Sequence, residues 1–288
     1  MEEKGHLYWL RRKLPEQKVL EEMDLLLKEF NLHTVCDSAL CPNRGECYKN
    51  KTATFMILGD ICTRNCRFCA IEKREPLPLD PKEPYHLAQA AERLQLKYIV
   101  ITSVTRDDLP DGGAEHFAQT IVELKSLLPH SAVEVLVPDF NGSEEALQKV
   151  IEVQPEVINH NLETVPRLYP LVRPKAVYSR SLELLRQVKI RSKNIITKSG
   201  IMVGLGEEKE EVVQLMRDLR EVNCDILTIG QYLRPSPRHL AVEEYIPPDK
   251  FEEYGKIGRS LGFKYVVSAP LVRSSYQARE IWENISKR

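Results

Sequence analysis

Short apolar runs alternate with amphipathic stretches along most of the chain. Six runs are short enough for buried strands and lie at 53–58, 98–102, 133–137, 156–159, 199–203 and 226–230. Apolar side chains at helical spacing follow them near 84–95, 114–128, 143–152, 179–190, 208–222 and 249–261. This order predicts parallel β/α units, and six units are fewer than the eight that close a full barrel. The pattern therefore predicts an α/β fold, a partial (β/α)6 TIM-like barrel with an N-terminal and a C-terminal extension.

The segment before the first run is predicted to be a structural cap helix at 15–31, because Val19, Met23, Leu26 and Phe30 recur at helical spacing. The N-terminal hexapeptide has no apolar core of the kind found in a signal peptide. No uninterrupted apolar stretch approaches the roughly 20 residues that span a bilayer. We therefore expect a cytoplasmic protein with no membrane contact.

The overall charge of the chain is close to zero. Lysine and arginine number 41 against 42 aspartates and glutamates, which gives a net charge of −1 at pH 7. No global field would attract nucleic acid, so we expect no nucleic-acid partner and only local charged contacts. The best local basic patch is Arg234, Arg238 and His239 in a proline-broken loop, and a solvated charge run is the alternative interpretation.

Three cysteines, Cys62, Cys66 and Cys69, follow the first predicted barrel strand in the spacing C-x3-C-x2-C. Thiolates favour zinc, copper(I) or iron–sulfur centres, but a closed zinc site normally takes four ligands. Three thiolates fit a [4Fe-4S] cluster in which one iron stays open to a small molecule. A structural zinc site with a distant fourth ligand is the alternative.

A second triplet, Cys36, Cys41 and Cys47, lies upstream in a loop-prone segment with the spacing C-x4-C-x5-C. Six cysteines exceed the four positions of one zinc, and each triplet lacks one ligand. Two [4Fe-4S] clusters explain the count better. The seventh cysteine, Cys224, has no surrounding ligand pattern and is predicted to be a small buried hydrophobe.

The C-x3-C-x2-C triplet resembles the radical S-adenosylmethionine enzymes, and the chain from about residue 12 to 278 resembles their lipoyl synthase family. The resemblance rests on both triplets and on five further segments. These are Thr102-Ser103-Val104-Thr105-Arg106-Asp107-Asp108-Leu109-Pro110-Asp111-Gly112-Gly113, Val137-Pro138-Asp139-Phe140, Asn159-His160-Asn161-Leu162-Glu163, Lys198-Ser199-Gly200-Ile201-Met202-Val203-Gly204-Leu205-Gly206-Glu207 and Arg273-Ser274-Ser275-Tyr276. Gln277 departs from the pattern, since many members carry a different, often basic, residue there.

The resemblance implies a reaction and its cofactors. Cys62, Cys66 and Cys69 would hold the cluster that chelates S-adenosylmethionine and yields a 5′-deoxyadenosyl radical. The Cys36, Cys41 and Cys47 cluster would be consumed as the sulfur donor when two sulfurs are inserted at C6 and C8 of a protein-bound octanoyl-lysine. Ser275 would be the fourth ligand of that auxiliary cluster and take part in catalysis. The alternative is that Ser274 and Ser275 cap a helix.

The resemblance also sets the expected organisation and partners. Residues 1–50 would carry the auxiliary-cluster cysteines, 51–262 the radical barrel and 263–288 the Arg-Ser-Ser-Tyr extension. We expect an octanoylated lipoyl-carrier domain as substrate, an electron donor such as ferredoxin or flavodoxin, and a monomer.

Cofactor contacts are expected where the predicted strands end. The candidates for S-adenosylmethionine are Thr102, Ser103, Asn161, Glu163, Arg173 and Gly204. Three of them have an alternative: the 103–108 segment could order a loop, Arg173 could lie on the surface, and the glycine could make a tight turn. His160 is interpreted as a satisfied core histidine.

Two other functions remain compatible with these cysteines. One is a different auxiliary-cluster radical enzyme, either biotin-synthase-like or methylthio-transferring, which would not act on an octanoylated carrier. The other is a non-catalytic iron–sulfur or zinc protein, which would release no 5′-deoxyadenosine under reducing conditions.

Overall fold

The structure is a computed structural model that describes residues 7–11, 16–50 and 52–286. The N-terminal hexapeptide and residues 12–15, where the cap helix and the resemblance were predicted to begin, lie outside the described residues. No helix in the described part of the chain combines the length and apolar composition needed to cross a bilayer.

One sheet of eight strands organises the fold. The strands are β1 (His33–Thr34), β2 (Thr54–Ile57), β3 (Tyr98–Ser103), β4 (Ala132–Leu136), β5 (Val157–Asn159), β6 (Ile196–Val203), β7 (Ile226–Gln231) and β8 (Tyr265–Ser268). They are hydrogen-bonded in sequence order from β1 to β8. β1 pairs antiparallel with β2, and every later neighbour is parallel. The two ends of the sheet do not pair, so the barrel is open on one side.

Eleven α-helices are found in the described residues. They are α1 (Gln17–Glu29), α2 (Val35–Ser38), α3 (Arg44–Lys49), α4 (Glu83–Arg93), α5 (Ala114–Leu127), α6 (Glu144–Glu152), α7 (Tyr169–Val172), α8 (Tyr178–Arg191), α9 (Lys209–Glu221), α10 (Pro248–Ser260) and α11 (Ala278–Ser286). The six predicted β/α units are present as β2–α4, β3–α5, β4–α6, β5–α8, β6–α9 and β7–α10. The predicted partial barrel is confirmed, and β8 continues its parallel sheet by one strand.

The chain after β8 passes along the barrel and then packs beside its strand entrances. The Val272 carbonyl lies so close to Gly230 of β7 that a Cβ there would stand 2.1 Å from the oxygen. Ala278 and Trp282 of α11 pack on Tyr98, Val100 and Ala132 near the start of β3 and β4. This C-terminal segment therefore contacts the barrel at both ends of its strands.

The strands are apolar because both faces are covered. Phe55 and Ile57 of β2 and Ile99 and Ile101 of β3 are completely buried in the main core. Inside the barrel, the Lys198 ammonium is bonded to both oxygens of Glu134 at 2.8 and 3.1 Å, and Tyr98 donates to the same carboxylate at 2.6 Å. The buried charges of Lys198 and Glu134 are therefore paired, while Oδ1 of Asn159 beside them has no hydrogen-bond partner within the described residues.

Candidate active site

All six motif cysteines line one cavity of about 490 Å³ beyond the C-terminal ends of the strands. All six are free thiols. The cavity also receives Ser103, Asn161, Arg173 and Ser275. The carboxyl ends of parallel strands are where ligands bind in such folds, so the cavity has the position of an active site.

The loop that carries Cys62, Cys66 and Cys69 follows β2 and is tied to the end of β3. The Thr105 amide donates to the Cys62 sulfur at 3.3 Å. The Thr63 hydroxyl donates to the Thr105 carbonyl and accepts from the Asp107 amide, both at 3.0 Å. The segment after Ser103, which sequence left open between cofactor contact and loop ordering, orders the cysteine loop.

Arg64, inside the cysteine loop, is buried among carboxylates from two other strand ends. Its guanidinium makes two bonds to Asp107 at 2.8 and 2.9 Å and one to Asp139 at 2.5 Å. Burial acts to raise the pKa of Asp139, but the Arg64 hydrogen bond and charge outweigh it and hold the pKa at about 2. Sequence reasoning missed Arg64, because it is one of two arginines, with Arg67, between the cysteines, and nothing in the sequence distinguishes the buried one from the exposed one.

The start of the cysteine loop is fixed by a second buried group. Leu58, directly after β2, has φ 69, which is unusual for a side chain with a Cβ. Its amide donates to Glu83 at 2.8 Å, and its carbonyl accepts from Arg106 at 3.2 Å. His116 holds the same Glu83 oxygen at 2.7 Å. The amide and the carbonyl of Leu58 are therefore both held by hydrogen bonds to side chains.

The outer side of the cysteine loop is held by basic residues. Lys175 donates to the Thr63 carbonyl at 2.9 Å, and Lys73 donates to the Cys69 carbonyl at 2.8 Å. His239 Nε2 donates to the same Cys69 carbonyl at 3.1 Å. His239 belongs to the proline-broken loop of the predicted basic patch, so that loop forms part of the site wall.

Burial favours the protonated form of three of the six thiols. Burial raises the pKa of Cys69 and of Cys36 to about 12 and also raises the pKa of Cys66. A metal centre deprotonates the thiols that bind it, so the proton is lost when the site is loaded. Soft, free thiols in two groups of three fit iron–sulfur groups as ligands. No group of three or more His, Cys, Asp or Glu side chains within the described residues is arranged for a single metal ion.

The Arg-Ser-Ser-Tyr segment packs against the loop that carries Cys36, Cys41 and Cys47. Asn43 donates to the Leu271 carbonyl at 2.8 Å, and Tyr276 donates to Glu46 at 3.0 Å. These contacts bracket Ser275 on the C-terminal segment and join it to residues between Cys41 and Cys47. The segment is therefore held beside the Cys36, Cys41 and Cys47 triplet.

The geometry does not favour helix capping by Ser275. α11 begins at Ala278, and Gln277 before it has φ 53. The Ala278 amide donates to the carbonyl of Ser275 at 3.4 Å. The Ser275 side chain instead lines the cavity.

Three buried polar atoms in the cavity wall lack a hydrogen-bond partner in the described chain: Ser103 Oγ, Asn161 Oδ1 and Arg173 Nε. A buried polar atom without a partner costs about 1–3 kcal/mol, so its presence in a cavity indicates a ligand. A hydroxyl, an amide oxygen and a guanidinium match the amine, hydroxyl and carboxylate groups of S-adenosylmethionine. The residues present therefore fit this cofactor.

Arg173, Asn161 and Glu163 form one cluster at the end of β5. Arg173 is 9% exposed, which excludes the surface alternative, and its Nη1 donates to the Asn161 and Leu162 carbonyls at 3.0 Å. Asn161 Nδ2 donates to Glu163 at 3.0 Å. Burial raises the pKa of Glu163.

The remaining candidates have partners within the protein. Thr102 lines the cavity but donates to the Leu136 carbonyl at 3.2 Å. A Cβ on Gly204 would stand 2.2 Å from Gln231 Nε2, so packing within the protein accounts for that glycine. His160 bonds the Val137 carbonyl at 2.8 Å and the Ser181 hydroxyl at 2.9 Å, which confirms a satisfied core histidine. Cys224 is completely buried.

Comparison with known proteins indicates the same class of enzyme as the residues that line the cavity. A profile of the radical SAM superfamily matches residues 56–219. The chain is 62% identical over 270 residues to lipoyl synthase of Caldanaerobacter subterraneus subsp. tengcongensis, with 94% of each chain covered. It is 57% identical over 272 residues to lipoyl synthase of Caldicellulosiruptor saccharolyticus, covering 94% of this chain and 95% of the relative.

A solved structure supports the fold. HydG, described as a maturase of the FeFe-hydrogenase, matches with a TM-score of 0.59 at 17% identity, over 80% of this chain and 54% of that chain. At this identity the likeness concerns the fold alone. The high identity to the two lipoyl synthases, over nearly the whole chain, establishes the family. The chain therefore belongs to the lipoyl synthase family of the radical S-adenosylmethionine superfamily.

Proposed function

We propose that the chain inserts two sulfur atoms at C6 and C8 of an octanoyl-lysine on a lipoyl-carrier domain. The observation that carries the proposal is the single cavity lined by both cysteine triplets and Ser275. A radical generator and a sulfur donor must act on the same carbon chain, so both have to face one enclosed space. The close relatives named lipoyl synthase support the same reaction.

The reaction needs a radical because carbons six and eight of an octanoyl chain have no leaving group and no acidic proton. Cys62, Cys66 and Cys69 would hold a [4Fe-4S] cluster that, with S-adenosylmethionine, supplies the 5′-deoxyadenosyl radical for hydrogen abstraction. The chain's own task is to orient the reacting groups and exclude water. Two sulfur insertions require two molecules of S-adenosylmethionine per product.

Ser103, Asn161 and Arg173 would bind S-adenosylmethionine, since each presents an unpartnered buried atom to the cavity. Arg173 would pair with the carboxylate of the cofactor and Asn161 with its polar groups. Glu163 would hold the amine, because a cation beside it would stabilise its charged form against the effect of burial. Thr102 would shape the wall while keeping its bond to β4.

Cys36, Cys41 and Cys47 would hold a second [4Fe-4S] cluster that supplies the sulfur atoms, with Ser275 as its fourth ligand. A serine oxygen is a harder, weaker partner for iron than a thiolate. The iron bound to Ser275 would therefore be released most easily when the cluster gives up sulfur. Cys36 is the most buried of the three cysteines, which fits the anchoring end of the site.

Two triple variants test this division of labour. Replacing Cys36, Cys41 and Cys47 by Ala should leave about four of eight irons per chain and preserve 5′-deoxyadenosine release, but abolish sulfur transfer to an octanoylated carrier peptide. Replacing Cys62, Cys66 and Cys69 should also leave about four irons but abolish 5′-deoxyadenosine release. Mass spectrometry follows both products after anaerobic reconstitution and reduction by dithionite.

Cys224→Ala is the matched control, because this cysteine is buried away from the cavity and should leave about eight irons and normal product. The opposite assignment of the triplets would follow if the first variant stopped 5′-deoxyadenosine release while the second preserved it. Stoichiometric zinc in place of iron would contradict the radical reaction.

A further inference from the structure

Five basic side chains surround the cysteine loop on its outer side and at the mouth of the cavity: Arg67, Lys73, Lys175, Arg234 and Arg238. We call this set the basic rim. All five are exposed. None of them forms an ion pair with a carboxylate of the described chain, whereas the neighbouring Arg74 and Arg180 are paired with Glu72 and Asp139. In a chain of net charge −1, the basic rim is a local positive field.

Two side chains of the basic rim are hydrogen-bonded to the backbone of the cysteine loop. Lys175 and Lys73 donate to the carbonyls of Thr63 and Cys69. Arg234 donates to the His239 carbonyl at 2.9 Å, and the Leu240 amide donates to the Arg67 carbonyl at 3.2 Å. Thr63 is the neighbour of Cys62, and Arg67 is the neighbour of Cys66, so a partner that contacts Lys175 or Arg67 would lie close to the cysteine ligands.

Arg67, Lys175 and Arg238 do not belong to the cavity lining, in contrast to Lys73 and Arg234. A partner that contacts only these three residues would not have to enter the cavity. A carrier domain must deliver its octanoyl arm into the cavity, whereas an electron can pass through the loop. The position of the rim therefore fits an electron donor better than the carrier.

We propose that the basic rim is the docking surface for a small acidic one-electron donor protein. The proposal rests on the function proposed above. The donor loses one electron, and that electron is consumed in the reductive cleavage of S-adenosylmethionine to methionine and the 5′-deoxyadenosyl radical. Electron-transfer partners bind through small interfaces, and charge complementarity raises their association rate more than their affinity.

The test compares a protein donor with a small reductant on the reconstituted enzyme. The variant is Arg67→Glu with Arg238→Glu, because neither side chain makes a contact that the fold needs. With reduced flavodoxin as the donor at low salt, the rate of 5′-deoxyadenosine formation should fall about tenfold or more. With dithionite, the rate should equal that of the wild type.

A second measurement does not depend on turnover. Flavodoxin binding to the reconstituted wild type, followed by NMR shifts of the labelled donor, should weaken in the variant and should weaken with added salt. The matched control is Lys97→Glu with Lys193→Glu, two exposed lysines at the strand-entry end of the barrel with the same change in charge. The control variant should bind and accept electrons normally.

Four results would overturn the proposal. An equal loss with dithionite would mean that the two arginines act on the cysteine loop. A raised KM for the octanoylated carrier with dithionite as reductant would assign the rim to the substrate. Unchanged kinetics and binding with flavodoxin, or equal effects in the control variant, would exclude a specific docking surface. If the proposed function itself were wrong, the wild type would form no two-sulfur product with dithionite, and this result differs from all four.

Discussion

A role as cluster ligand and a role as helix cap predict different effects when Ser275 is substituted. Because Gln277 separates it from α11 and its side chain lines the cavity, we expect a ligand. Ser275→Cys should keep about eight irons but stall sulfur transfer, because a thiolate would hold the departing iron more tightly. Iron analysis and mass spectrometry of the carrier peptide measure both effects.

Ser274→Cys is the matched control for this substitution, since it places the same thiol one residue away. It should form the two-sulfur product at a nearly normal rate. Full product from Ser275→Cys, starting with both clusters present, would exclude the ligand role. A lower iron content in both variants would instead indicate damage to the segment.

The burial of His160 makes the stability of the protein depend on pH. Burial lowers its pKa to about 4 from a usual value of 6.5. Because the folded pKa lies below the unfolded one, the unfolded chain takes up the proton first as the pH falls. Stability is therefore lost from about pH 6.5 down to pH 4, amounting to about 1 kcal/mol between pH 7.5 and 5.5.

Urea unfolding of wild type and His160→Gln tests this assignment. The variant lacks the titrating group, so the difference in free energy of unfolding between the two proteins should narrow as the pH falls to 5.5. Parallel curves for the two proteins over this range would show that His160 does not titrate between the folded and unfolded states.

At the scale of elements, α11 fixes the far end of the C-terminal segment. Trp282 packs on Tyr98 with ring centroids 5.9 Å apart. Because Trp282 is half-buried, Trp282→Ala should cost about 2 kcal/mol of stability. It should also raise amide hydrogen exchange in residues 271–276, since α11 no longer anchors them.

The control on the same helix is Arg279→Ala. Arg279 is exposed, and its ion pair within residues 16–286 is with Glu283, four residues along, so its loss should cost less than about 0.5 kcal/mol and leave exchange at 271–276 unchanged. Unaltered exchange in Trp282→Ala would mean that the contacts of Asn43 and Gly230 hold the segment without the helix.

The elements that sequence predicted well are those with a long, regular period. All six β/α units appear, because each strand contains a short buried apolar run and each helix has one apolar face. β8 was missed, since its four residues carry little periodicity and lie after the last predicted helix. β1 has two residues and is defined only by its pairing with β2.

The residues of the site also differ in whether the sequence could predict them. Cysteine spacing is local, so both triplets could be read from the chain, and a strand-end rule placed Asn161 and Arg173. The Arg64 cluster could not be predicted, because its carboxylates lie 43 and 75 positions away and meet it only in the folded barrel. The burial of Arg173 likewise depends on how α7 folds back over β5.

At the scale of the whole molecule, Arg64 joins the loops that follow three consecutive strands. It bonds Asp107 after β3 and Asp139 after β4, and Asp139 also bonds Arg180 of α8 at 3.3 Å. Arg64 is 5% exposed and Asp139 is 1% exposed, so water cannot replace either partner. The cysteine loop is therefore coupled to the stability of the barrel through a buried charge pair.

Removing one member of this pair should be far more harmful than removing both. Arg64→Met leaves Asp139 buried without its main partner and should cost about 3–5 kcal/mol, whereas adding Asp139→Leu should recover much of that loss. Arg167→Ala, which breaks an exposed pair with Glu211, should cost less than about 1 kcal/mol. Urea unfolding of the wild type, Arg64→Met, Asp139→Leu and the double variant completes the cycle, with Arg167→Ala as the control. Additive losses in the double variant would mean that Arg64 and Asp139 stabilise the barrel independently, and that the strand ends are not coupled through their charges.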